Sequence, residues 1–241
     1  ISVSVVSPIM LDEGWTFNQA EGSTGDALHG KRVMHEIYTH AQGDYSGRVT
    51  VPVLYDKVQD TIVSNESADI IRMLGTAFDG IGAHAGDYYP QALQADIEAV
   101  NERVYNTVNN GVYRSGFATT QEAYEEALYP LFASLDWLEE RLSAHGPYLF
   151  GDTLTEADIR LWTTLVRFDP VYFGHFKCNL KQLKDYPNLW AFTRRLYQTG
   201  NIAATVVMDH IKDHYYISHT TINPTGVVPK GLGGDLMEKV A

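Results

Sequence analysis

Cys178 is the one thiol in this chain of 241 residues, so any sulfur chemistry the sequence itself carries has to start there. His175 and Lys177 are close neighbours, and a nearby cation is what lowers a thiol's pKa; the ordinary alternative is a buried, inert cysteine. His210-x-x-x-His214 puts two imidazoles on one helical face with Asp209, Asp213 and His219 close by. That spacing can bind zinc, but it lacks the Glu next to the first His that a zincin requires, and solvent-facing histidines on an acidic helix give the same pattern. No metal is expected. Ser67 has no Gly-x-Ser-x-Gly elbow around it, which argues against a hydrolase. Glu66-Ser67 stands at a helix start, where an acidic and a hydroxyl residue either cap the first turn or offer it to an anionic ligand. Fifteen tyrosines are many for this length, and a phenol can donate to an aromatic substrate's oxygen while its ring stacks, or simply sit at the edge of the core. Gly231-Leu232-Gly233-Gly234 has no preceding strand and no following Lys-Ser/Thr, so it predicts a flexible tail rather than a phosphate loop.

The elements that must position these groups fall into two textures. Residues 1–83 carry β-branched runs and turn residues, whereas 84–241 carry long 3.6-residue periods, which predicts two domains with those bounds. Ile1-Ser2-Val3-Ser4-Val5-Val6 alternates as a half-buried strand ending at Ser7-Pro8. A short helix is expected around His35 to His40. A second strand spans Val49 to Asp56 with Pro52 inside it; a proline there belongs to an edge or bulge, or to a cis bond that bends the chain beside a site. Thr61-Ile62-Val63 follows, then a helix from Ser67 through Ile70, Ile71 and Leu74. In the second half, Ile97, Val100, Val104 and Val108 pattern a helix that should break at Asn109-Asn110-Gly111. Leu128, Leu131, Leu135, Leu138 and Leu142 pattern another over about 120–144. Thr155 and Asp158 form a capping box with Leu154 and Ile159 as its hydrophobic staple. Further helices are expected at about 187–199 and 202–214, with a loop-like tail from Asn223-Pro224 to Gly234.

Composition narrows the function classes. Lys+Arg number 18 against Asp+Glu 30, a net charge of -12 that repels phosphate backbones and anionic membrane surfaces. No apolar run approaches 18 residues, so a soluble chain is expected. One cysteine permits no intrachain disulfide and suits a reducing, cytoplasmic compartment. The opening run ISVSVVSPIM has neither a basic n-region nor a small-residue cleavage site.

The order strand, Val-Pro-Val strand, strand and Glu-Ser helix start, followed by an all-helical half with a capping box, resembles a glutathione transferase. The runs Thr50-Val51-Pro52-Val53-Leu54, Ser64-Asn65-Glu66-Ser67-Ala68-Asp69-Ile70-Ile71-Arg72, Val108-Asn109-Asn110-Gly111-Val112-Tyr113, Phe173-Gly174-His175-Phe176-Lys177-Cys178-Asn179 and Asn223-Pro224-Thr225-Gly226 resemble more closely the Xi class, the glutathionyl-hydroquinone reductases. The resemblance implies a thioredoxin-like N-terminal domain and an all-helical C-terminal domain. It implies that Ser67 grips the γ-glutamyl carboxylate of glutathione, Glu66 its ammonium, and Val51, before a cis Pro52, the cysteinyl backbone, with Trp15 close by. Tyr113, Tyr172 and Tyr215 would face the hydroquinone, with Tyr216 a rival for the third place.

The family's catalytic cysteine sits in a Cys-Pro motif that opens a helix, preceded by a strand that lies inside the sheet. Neither element is found in this sequence, which implies an incomplete thioredoxin-like domain whose strands at 1–6 and 51–55 lose their ladder partner, and negligible activity for these residues alone. Glutathione is the expected co-substrate, an aromatic glutathionyl-hydroquinone the substrate, and a homodimer the expected assembly. A catalytically silent glutathione- or quinone-binding module, or a structural interaction domain, would share the same fold.

Overall fold

The computed structural model describes residues 1–83, 86–231 and 234–240. They divide into two compact units, Ile1–Ala85 with Asp209–Thr220, and Gly86–Met208 with Thr221–Ala241. The domain bounds expected from texture left the helix around residue 210 in the second half; in the structure its residues from Asp209 pack with the first unit.

In the first unit, α1 (Met34–Ala41) turns Met34, Ile37 and Tyr38 inward, the i, i+3, i+4 stripe of an amphipathic helix. These three and Phe17 form a small core that Val51, Val53, Tyr55, Ile62 and Trp15 pack against. The sheet is a two-stranded antiparallel pair, β1 (Leu54–Asp56) and β2 (Thr61–Ser64), in which Tyr55 faces Ile62 and Asp56 faces Thr61. Asp56 closes the turn between them by accepting from the Val58 and Gln59 N–H groups at 2.8 and 3.0 Å. Helix α2 (Ser67–Thr76) follows at the position its Glu-Ser start predicts.

The strands that alternation predicts over 1–6 and 49–56 are not built in full, in line with the lost ladder partner that the family resemblance implies. Ile1 to Val6 alternate as a strand should, yet no described residue forms a ladder with them; Val5 instead bonds to the loop residues Ser23 and Thr24, and Ile1 and Val3 are exposed. Periodicity specifies which face a strand would bury, but pairing needs a partner edge. The strand expected over Val49 to Asp56 shrinks to the three residues Leu54–Asp56; Pro52, whose peptide bond to Val51 is cis, has no N–H to give to a ladder. The thioredoxin-like half is therefore a partial one.

The second unit is helical. It runs through α3 (Gln94–Val104), α4 (Asn110–Gly116), α5 (Gln121–His145), α6 (Glu156–Leu165) and α7 (Pro187–Tyr197). Leu131, Leu135 and Leu138 of α5 are fully buried, as their spacing requires. The break expected at Asn109-Asn110-Gly111 does not occur. A π-helical turn over Tyr105–Asn109 carries α3 directly into α4, and the Asn109 amide donates to the Arg160 carbonyl and the Thr164 hydroxyl of α6 at 3.2 and 2.6 Å. Asparagine's competing hydrogen bonds, which usually end helices, are here spent on a neighbouring helix. The last expected helix is also displaced: a short 3-10 turn covers Ile202–Thr205, and α8 spans Met208–Ser218. Leu232 and Gly233 of the glycine-rich stretch lie outside the described residues.

The capping box forms as the sequence predicts. Asp158 Oδ2 accepts from the Thr155 N–H and hydroxyl, both at 2.8 Å, and Oδ1 accepts from the Leu149 N–H at 2.8 Å. One carboxylate thus fixes the start of α6 and the chain that leads to it.

Candidate functional site

Within the first unit, the start of α2 is left open. Its cap residue Glu66 is extended (φ -95°, ψ 115°) and makes no side-chain cap bond, and both Glu66 and Ser67 are exposed. The first-turn N–H groups of a helix carry partial positive charge and lack intrahelical acceptors, so this end suits a carboxylate. Val51 lies outside both strands, which leaves its N–H and C=O out of the ladder. A half-buried polar knot ties these two pieces together. The Tyr38 hydroxyl donates to the Thr50 carbonyl at 2.8 Å and accepts from the Thr50 N–H at 3.2 Å, while the Asn65 amide donates to Tyr38 and to the Thr50 hydroxyl, both at 3.1 Å. Thr50 immediately precedes Val51 and Asn65 immediately precedes Glu66. Asn65 and Tyr38 are thus positioning residues that went unnoticed in the sequence, since nothing local links residue 38 to 50 or 65.

Trp15 is half-buried against the Phe17 core and stacks on the His214 ring of α8, centroids 4.9 Å apart. His214 Nδ1 donates to the Pro8 carbonyl at 2.8 Å, and the His210 ring lies against Gly22, where an added Cβ would come within 2.8 Å of its Cε1 atom. The two imidazoles therefore go to separate packing partners instead of facing solvent side by side. Tyr215, also on α8, is buried with its ring edge-on to His214 and His219; Tyr216 is buried too. Burial, and secondarily His214, pulls the His219 pKa down to about 4, so this imidazole is neutral at pH 7.

In the second unit, Tyr113 on α4 and Tyr172 in a π-helical turn (Phe168–Tyr172) come together around Phe176. Tyr172 stacks on Phe176 at 5.5 Å and 12°, and Tyr113 meets both rings at 6.0 and 5.5 Å. Tyr172 is buried, whereas Tyr113 is 40% exposed and so is the phenol of this group that a ligand can reach. Gly116, one turn beyond Tyr113, makes room for Phe176: a Cβ there would come within 2.8 Å of the Phe176 Cβ and closer still to its ring. Phe176, missed as a site residue in the sequence, is what holds the two tyrosines together.

Cys178 follows in the same segment and is fully buried, its Sγ 4.0 Å from the Val112 carbonyl and 3.8 Å from that of Phe176. Burial pushes the thiol up to about 12, against the smaller opposing effects of the Ser115 hydrogen bond and the Lys177 charge. A thiol in that state is almost wholly protonated at neutral pH and is a poor nucleophile.

Residues 121–195 match the family model for the glutathione S-transferase C-terminal domain. The chain is 59% identical over 239 residues to the glutathionyl-hydroquinone reductase YqjG of Escherichia coli K12, covering 99% of this chain and 73% of that protein. It is 54% identical over 231 residues to the glutathionyl-hydroquinone reductase PcpF of Sphingobium chlorophenolicum, covering 96% and 74%. The glutathione-bound structure of YqjG superposes with a TM-score of 0.97 over all of this chain and 78% of that one, and glutathione transferase Xi 1 from Trametes versicolor with 0.92 at 51% identity, over 96% and 82%. The chain belongs to the Xi class of glutathione transferases.

The Xi-class chain therefore has the transferase fold, with a helical C-terminal domain and a small two-stranded sheet in a partial thioredoxin-like half. Among the described residues, no helix of this Xi-class protein is long and apolar enough to cross a membrane. Its buried Cys178 leads to a direct check. Native protein treated with iodoacetamide at pH 8 should remain unlabelled, and protein unfolded in urea should take one carbamidomethyl group by intact mass. Rapid stoichiometric labelling of the native form would contradict the buried, protonated thiol.

Proposed function

We propose that this chain carries the binding residues of a glutathionyl-hydroquinone reductase, homodimeric as the family resemblance implies and cytoplasmic as its single cysteine suits. The observation that carries the proposal is its 59% identity, over nearly its whole length, to a protein of that name whose fold with glutathione bound it shares. The geometry supports the assignment of roles. Ser67 and the first-turn N–H groups of α2 take the γ-glutamyl carboxylate, Glu66 its ammonium, and the unladdered backbone of Val51, before cis Pro52, pairs with the cysteinyl peptide. Trp15 steadies the loop beside it. Tyr113, Tyr172 and Tyr215 serve the hydroquinone, with the exposed Tyr113 phenol the one that donates to a ring oxygen and the buried Tyr172 ring backing it.

In the reaction a cysteine thiolate attacks the glutathionyl sulfur. The sulfur–carbon bond breaks, the ring carbon takes the electron pair and a proton to give the free hydroquinone, and the enzyme is left as a mixed disulfide with glutathione. A second glutathione thiolate attacks that disulfide, releasing oxidised glutathione and restoring the enzyme thiolate. Cys178 is unsuited to the first step, so the proposal assigns it to another cysteine. No other cysteine occurs among these 241 residues, which by themselves should bind glutathione yet show negligible turnover.

Calorimetric titration of the chain with glutathione tests the assignment. Glu66→Ala and Ser67→Ala should each weaken binding tenfold or more, the size of one lost charge-assisted hydrogen bond, with the circular dichroism spectrum unchanged. Affinity untouched by both substitutions would overturn the site. Turnover of a glutathionyl-hydroquinone that survives Cys178→Ser in the same chain would overturn the assignment of the thiolate.

A further inference from the structure

Three side chains far apart in the first unit's sequence, none of them given a role above, converge at its surface. His29 stands in a turn whose backbone is held by Asp26, which accepts from the Leu28, His29 and Lys31 N–H groups at 2.8 to 3.1 Å. His40 is in the last turn of α1, and Asp60 lies in the connection between β1 and β2. Asp60 adopts φ 56°, in the left-handed region that a non-glycine residue seldom occupies, though Asp tolerates it better than most.

The two imidazoles aim their Nε2 atoms at one carboxylate. His29 Nε2 is 3.2 Å from Asp60 Oδ1 and His40 Nε2 is 2.8 Å from Asp60 Oδ2, the two rings lying 4.1 Å apart. One ligand atom from each of the three residues lies within 4.8 Å of the others. Tetrahedral zinc with bonds of about 2.0–2.1 Å separates its ligand atoms by roughly 3.3 Å, so the widest gap here closes with a shift of about 0.75 Å or less by each of two side chains. We propose that His29, His40 and Asp60 form a binding site for a divalent first-row transition metal, with zinc as the ordinary occupant.

The donor set argues for that class of ion. Two imidazole nitrogens with one carboxylate suit zinc and its neighbours, whereas magnesium and calcium require oxygen ligands throughout. The surroundings supply what such sites have elsewhere. The Tyr55 hydroxyl donates to Asp60 Oδ1 at 3.0 Å and lies 3.1 Å from His29 Nε2, holding carboxylate and ring side by side, and with Asp60 half exposed water can reach the remaining position. Three protein ligands and an open position could also support chemistry, but the placement describes first a clip: the ion would join the 26–31 turn, the end of α1 and the hairpin, a pair of closures spanning residues 29 to 60. Metal bound only by the folded state stabilises it.

The test uses untagged protein stripped with EDTA and titrated with zinc chloride in competition with a chromophoric chelator. One zinc per chain should bind with micromolar or tighter affinity, and saturating zinc should raise the melting temperature by several degrees. Magnesium chloride should do neither. The double substitution His29→Ala/His40→Ala should abolish the binding, and the surface variant Asp60→Asn, which carries little risk of misfolding, should weaken it tenfold or more. His210→Ala, in the histidine pair of α8, should leave it unchanged. Absence of saturable zinc binding, or binding that persists in the double variant and in Asp60→Asn, would overturn the proposal.

Discussion

Replacing Asp158 by alanine should cost the protein about 3–5 kcal/mol, enough to leave the helical unit close to unfolding at room temperature. The carboxylate, Thr155 and Leu149 are all fully buried, so the substitution strands three donors in a dry interior: two N–H groups and one hydroxyl. An unmet buried donor costs about 1–3 kcal/mol, and losing a helix cap about 1 kcal/mol more, though such terms do not add fully. Burial pushes the Asp158 carboxyl above the usual range, while the bonds from Leu149 and Thr155 pull it back. Those bonds are therefore what make a carboxylate tolerable there. Urea unfolding followed by circular dichroism should show the loss as an earlier midpoint, with Asp158→Asn intermediate because its amide keeps one acceptor oxygen and the shape. A change below about 1 kcal/mol for the alanine variant would show that water or a rearranged backbone meets those donors.

The second large effect is expected at Gly116. An alanine there drives its Cβ into the Phe176 ring, and Phe176 is completely buried, so the ring has nowhere to swing. Overpacking of this kind costs about 2–3 kcal/mol. More telling than the stability is where the displacement goes. Phe176 stacks on Tyr172 and meets Tyr113, so Gly116→Ala should weaken binding of an aromatic quinol analogue tenfold or more while the glutathione titration stays within twofold of wild type. Phe176→Leu introduced with Gly116→Ala should restore much of the stability and little of the quinol binding, because a smaller side chain relieves the clash without rebuilding the stack. Equal losses for both ligands would mean the substitution loosens the whole chain instead.

What could be read in advance was what neighbouring residues decide among themselves. Thr155 to Asp158 is a four-residue arrangement, and the cap it forms depends on little beyond those four. The Glu66-Ser67 helix start, the α5 stripe and the bend at Pro52 were legible for the same reason. The features that were missed are those decided at a distance. The alternation of Ile1 to Val6 reads as a strand, but a strand is a relation between two edges, and only the family resemblance told against a ladder there. Asn109 looks like a helix breaker until the carbonyl and hydroxyl of α6 take its amide. The site shows the same division: Glu66, Ser67 and Val51 lie in recognisable runs, whereas Tyr38 and Asn65, which hold those runs together, join through contacts across 12 to 27 residues. His29, His40 and Asp60 match no spacing rule, since separations of 11 and 20 residues have no common period.

Helix α8 also has a bearing on how the molecule is made. Its residues from Asp209 belong to the first unit, seating Trp15 on His214 and tying the Met10 N–H to the Ser218 hydroxyl at 2.9 Å. The first unit is thus discontinuous along the chain, with some 120 residues of the other unit between its parts. During synthesis it stays unfinished, Trp15 uncovered, until residue 218 has emerged from the ribosome, by which time the helical unit has most of its own sequence to fold with. A fragment ending near residue 83 would carry Glu66, Ser67 and Val51 but none of that seating. For the same reason, a chain order in which 209–220 preceded the helical unit would let the first unit finish folding ahead of it.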